Sequence, residues 1–132
     1  MLRNKKRFLG NEKGFTLIEI IAVLVILGIL AAVAIPRYMD MQTEARKKSG
    51  QAAISETKAR LSSGYAKALL IGNGNTVNMA MVLGNTNTAA GSWGPDYNVI
   101  VTSNANAATI NVTKVQNIAV TGVNGIWNMP TP

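Results

Sequence analysis

The chain contains no cysteine and no histidine. No disulfide can staple it, no Cys/His set can hold zinc, and no Ser-His or Cys-His pair can serve as a nucleophile. Acids are scarce too, with 6 Asp plus Glu against 13 Lys plus Arg, and aromatic residues make up 5% of the 132. Beyond Ile71 only Asp96 and Lys114 are charged, so the C-terminal part offers neither paired carboxylates for general acid–base chemistry nor a basic footprint for DNA. No enzyme and no cofactor are expected. The net charge of +7 is instead concentrated at the start, where Arg3, Lys5, Lys6, Arg7 and Lys13 face only Glu12.

What is abundant is aliphatic. From Phe15 to Ile35 run 21 residues whose only charge is Glu19, about 31 Å as a helix and therefore matched to a hydrocarbon core of about 30 Å. Thirteen of them are Leu, Ile or Val. At about −0.3 to −0.6 kcal/mol each they outweigh the roughly 2.5–3.5 kcal/mol that one central carboxylate costs, so the segment inserts despite its acid. Five basic residues precede the span and Arg37, Arg46, Lys47 and Lys48 follow it, a slight bias towards a cytoplasmic N-terminus. A secretory signal is the competing reading, with Ala32-Val33-Ala34 as the cleavage site. The length of the apolar run, its glutamate and the closely following Pro36 argue against it.

At Lys13-Gly14-Phe15-Thr16-Leu17-Ile18-Glu19 the sequence resembles the processing site of type IV pilin precursors and of the pseudopilins of type II secretion, and the likeness continues through Gly28 and Pro36. The resemblance implies that the basic leader, residues 1–14, is removed between Gly14 and Phe15 by a membrane-embedded prepilin peptidase that also methylates the Phe15 amine. It implies no catalysis by the chain itself. Its expected partners are further copies of itself in a helical filament, the peptidase, the inner-membrane pilus assembly machinery, and lipid before assembly. The precursor is expected in the bacterial inner membrane, head outside the cytoplasm, and the mature subunit in a surface fimbrium used for adhesion, motility or DNA uptake.

A lone intramembrane carboxylate marks a functional site, and the new cationic amine of Phe15 supplies its counter-charge. Pairing Glu19 of one copy with the Phe15 amine of a neighbour relieves two desolvation penalties together and sets subunit register. Gly28 and Ala32 form a small-x-x-x-small pair for close helix packing. Pro36 removes a backbone donor and predicts a kink or a boundary between helices.

From Arg37 to Ile71 the pattern is helical and amphipathic. Tyr38, Met41, Ala45, Ile54, Thr57, Leu61, Tyr65 and Ala68 form one stripe,. The run Arg46-Lys47-Lys48 offers a weak case for nucleic acid or anionic lipid, and Glu44 at i,i+4 from Lys48 favours a solvated face. Gly72-Asn73-Gly74-Asn75 predicts the helix end. After it lie twelve of the fourteen asparagines, residues that favour turns. Strands are expected at Tyr97 to Thr102, Thr109 to Thr113 and Gln116 to Thr121, with a turn at Asn104-Ala105-Asn106 and another at Asn124-Gly125. Thr76 to Leu83 fits helix or strand, and Asn85 to Pro95 reads as an exposed loop.

The expected architecture is therefore α+β: a leader (1–14), a transmembrane and filament-core helix (15–35), an amphipathic helix half (36–71) and a β-rich head (72–132) whose small antiparallel sheet is covered by the helix. Trp93 and Trp127 are expected in its packing. Asn111-Val112-Thr113 is a glycosylation sequon. A pilin is favoured over a pseudopilin because the calcium site common in major pseudopilins needs several carboxylates, and the head has Asp96 alone. A secreted or tethered binding module is the remaining alternative.

Overall fold

The computed structural model describes residues 14–72, 76–88 and 93–130. Residues 1–13 of the leader, Asn73 to Asn75 of the expected helix stop and residues 89–92 of the expected loop lie outside the described residues. Six elements follow in order: α1 (Leu17–Ile71), α2 (Met79–Gly84), β1 (Tyr97–Ser103), β2 (Ala107–Val115), β3 (Ile118–Ala119) and β4 (Asn124–Asn128). They form an α+β fold, in which an apolar N-terminal helix is joined to a small antiparallel sheet. The chain divides into two units, Met1–Met39 and Asp40–Pro132.

In the first unit every described residue is exposed. Phe15, Leu17, Ile18 and Val33 each present more than two thirds of their surface. Water would oppose so large an uncovered apolar face, so it belongs in lipid or against other helices. α1 is long and apolar enough to cross a membrane, and it runs through Pro36 without ending.

In the second unit α1 buries Gly50, Ala53, Ile54, Thr57, Leu61, Gly64 and Ala68, steps of three and four that keep one face inward. The stripe starts later than expected: Tyr38, Met41 and Ala45 are exposed. Leu61 is fully buried, a burial worth about 1.5–3 kcal/mol. Thr57 donates its hydroxyl to the Ala53 carbonyl at 2.7 Å, so the one polar side chain in the stripe is satisfied. Gly64 is small by necessity, because a Cβ there would meet Thr86 Oγ1 and lie 2.8 Å from the Val82 carbonyl oxygen. That close approach seats α2, whose Met79 and Val82 are buried. The ambiguous stretch is thus a helix, started by Asn78, whose side chain accepts from the Met81 amide at 3.0 Å,.

β2 is the centre of the sheet. It pairs antiparallel with β1 on one side and with β3 and β4, end to end, on the other. Ala108, Ile110 and Val112 face inward with the period of two that a strand imposes,. The register against β1 then slips between the pairs Asn98–Lys114 and Val99–Val112, leaving Thr113 as a bulge. Val115 consequently returns to the core and Lys114 stays outside. On the opposite edge Val120 N–H donates to Thr113 and Val112 N–H to the Val123 carbonyl, so Thr121 and Gly122 are the inserted residues that separate β3 from β4. Gly122 there takes a φ of 73°.

Two turn expectations change. Asn124-Gly125 is strand and not turn: both lie in β4, paired with Asn111 and Ile110. Gly125 is there because a Cβ would meet Ile54, so the glycine serves helix-to-sheet approach. The tight reversal is instead Gln116-Asn117, at φ 51° and 59°, the left-handed pair of a type I′ hairpin. The strand expected from Gln116 therefore begins at Ile118. Trp127 is buried and donates its indole N–H to Ser62 Oγ at 3.0 Å, which ties β4 to α1.

Candidate functional site

Thr16-Leu17-Ile18-Glu19 opens α1 as a capping box. The Thr16 N–H donates to Glu19 Oε2 at 2.8 Å, the Thr16 hydroxyl donates to the same oxygen at 2.9 Å, and the Glu19 N–H returns a bond to Thr16 Oγ1 at 3.3 Å. The backbone ladder starts with Glu19 and Ile20 N–H on the Thr16 carbonyl. Orphan amides at a helix start are costly in lipid, and the acid also complements the positive end of the helix dipole. Glu19 Oε1 accepts nothing among the described residues, so half of the carboxylate is engaged and half is open. Thr16 is not singled out by charge or hydropathy; its signal in the sequence is the T-x-x-E spacing ahead of an apolar run.

Around this box Gly14 and Phe15 are exposed. Space inside the chain does not demand a glycine at 14 or at 28, for a Cβ at either would have nothing within 4 Å. The helix surface beside them, from Leu17 to Ile35, is uncovered aliphatic side chain.

The cationic run of the second unit divides. Lys48 pairs with Glu44 at 3.9 Å on the surface, whereas Arg46 lies partly buried with its Nη2 at 3.4 Å from Gln42 Oε1. It is not one continuous solvated face. Arg60 is pinned differently. It bonds Glu56 at 2.9 Å, donates to the Asn87 carbonyl at 3.2 Å and lies 5.2 Å from the centre of the Trp93 ring, which fastens the segment after α2 to α1. Trp93 and Trp127 both pack on the core. Asn111 of the sequon is exposed in β2. Among the described residues no group of three or more metal-ligating side chains comes together.

A capped apolar helix with no cover of its own on the same chain as an α+β head fits a subunit whose first helix is covered by lipid or by other helices. The family of the prokaryotic N-terminal methylation motif matches residues 9–35. The type IV narrow pilus major component PilA5 of Thermus thermophilus is 36% identical over 79% of this chain and 89% of its own length. A fimbrial protein of Pseudomonas aeruginosa is 42% identical over 42% of this chain and 44% of its own. The type IV major alpha-pilin of Moraxella bovis is 46% identical over 37% of this chain and 32% of its own. The chain spans less than half the length of these last two relatives. No solved structure is significantly similar to it. The chain belongs to the type IV pilin family and is a pilin subunit.

Proposed function

We propose that the precursor sits in the bacterial inner membrane with its head outside the cytoplasm, is cut between Gly14 and Phe15 and methylated at Phe15, and is then drawn by the assembly machinery into a surface filament serving adhesion, motility or DNA uptake. The carrying observation is the half-open carboxylate of Glu19 at the start of an uncovered apolar helix. Thr16 N–H and the Thr16 hydroxyl hold Oε2. Cleavage leaves Thr16 N–H an amide, so the cap survives processing while Phe15, one residue before it, gains a cationic amine. Oε1 then receives the amine of an adjacent copy, and an ion pair removed from water in this way fixes register. Burial of the Leu, Ile and Val side chains between copies holds the polymer, with Gly28 and Ala32 permitting close approach.

The filament reading is tested by expressing the chain with Gly14→Val. A precursor that keeps its leader, with no subunits in the sheared surface fraction, is the expected outcome. Normal processing and filaments from this variant would place the cut elsewhere and overturn the reading.

A further inference from the structure

Within Asp40–Ile71 two carboxylates find their partners one turn away, Glu44 with Lys48 and Glu56 with Arg60. Arg46 does not. Its Nε is shut off from solvent with no hydrogen-bond partner, and its Nη2 reaches Gln42 Oε1 only at 3.4 Å, long for such a bond. The side chain separates two clefts of about 210 and 130 Å³. One is bordered by Gln42, Ser49 and Gln116, the other by Thr43, Lys47 and Thr121, and no carboxylate borders either. Lys47 adds a second cation. Across the first cleft stands Gln116 of the β2–β3 turn. A partly desolvated guanidinium beside a second cation, with no acid bordering it, is half of an ion pair.

The missing half is on the same chain but out of its own reach. Asp40 is exposed and makes no hydrogen bond or ion pair among the described residues. It lies six residues before Arg46, about 9 Å along the helix and about 120° around it by the shorter way, so the two sit on different faces and do not meet within one copy. Two different faces of one helix are what adjacent parallel copies present to each other in a heterologous, open-ended assembly. A copy displaced headward by about 9 Å brings its Asp40 level with the neighbour's Arg46.

We propose that the Arg46 clefts are a docking site for the Asp40 carboxylate of the adjacent copy, a second register contact outside the membrane segment. It rests on the filament reading and adds to it a specific acid and a specific base.

The test uses the full precursor in cells that assemble it. Asp40→Lys and Arg46→Asp are each expected to cut the subunit recovered in the sheared filament fraction about tenfold, and the exchange Asp40→Arg with Arg46→Asp to restore it. Subunit in the inner-membrane fraction reports folding in every case. Because the chain has no cysteine, Asp40→Cys and Arg46→Cys copies expressed together can also be joined with a short bismaleimide. A mixed dimer from filaments, absent when either variant is expressed alone, supports the pairing even where a charge variant fails to accumulate. Wild-type yield from both single charge variants, or filaments that give no mixed dimer, would overturn the pairing and leave the filament reading standing. Absence of filaments from the unaltered chain would overturn both.

Discussion

Glu19→Gln and Thr16→Ala separate the capping duty of the carboxylate at the head of α1 from the assembly duty proposed for it. Glutamine keeps the capping box, since its side-chain oxygen still accepts from the Thr16 amide, but it carries no charge for a neighbour's amine. Thr16→Ala keeps the charge and loses a cap worth about 0.5–2 kcal/mol. The expected result is filament loss with Glu19→Gln and continued assembly with Thr16→Ala, read from the sheared fraction. The reverse ranking would make Glu19 a helix cap and nothing more. The sequence announces Glu19 because a single acid in a 21-residue apolar run has no ordinary reason to be there. It hides Arg46, which reads as one of three consecutive cations. That side chain shares a cleft with Gln116, far away in sequence, and local charge patterning does not contain that juxtaposition.

Elements were legible in proportion to how local their causes are. The helix from Leu17 to Ile71 follows from periodicity and its stop at Gly72, and the Asn104 to Asn106 turn follows from composition. The second hairpin departs from the expected place: Asn-Gly is the usual left-handed pair, whereas here Gly125 is required by Ile54 of α1 and the reversal falls on Gln116-Asn117. Tertiary approach overrode turn propensity. Two predictions belong here. Gly64→Ala improves helix propensity by about 1 kcal/mol, yet it sets a methyl against the Val82 carbonyl and Thr86. The net expectation is destabilisation of about 1–3 kcal/mol, seen as a lower melting temperature of the detergent-solubilised chain by circular dichroism. Gln116→Gly relieves the left-handed strain and is expected to raise the same melting temperature by a few degrees. A fall would show that the Gln116 side chain itself stabilises the turn.

At the scale of the molecule the two units divide the labour. One is an apolar helix that the chain leaves uncovered; the other is a head with its own core of Leu61, Val82, Ile110, Val112, Val115 and Trp127. Leu61→Ala is therefore expected to destabilise the head by about 2–5 kcal/mol while leaving insertion of the helix intact, measurable as membrane-bound chain with raised protease sensitivity. The proposed processing would convert the precursor into a subunit with a new charge at the foot of the apolar helix, and the filament reading depends on where that cut falls. The most direct measurement is mass spectrometry of the N-terminal peptide from the sheared surface fraction and from the inner membrane. The account predicts a peptide starting at Phe15 and bearing one added methyl group, abundant in the sheared fraction. A peptide starting at Ile35 would remove Phe15, Thr16 and Glu19 from the mature protein and contradict it.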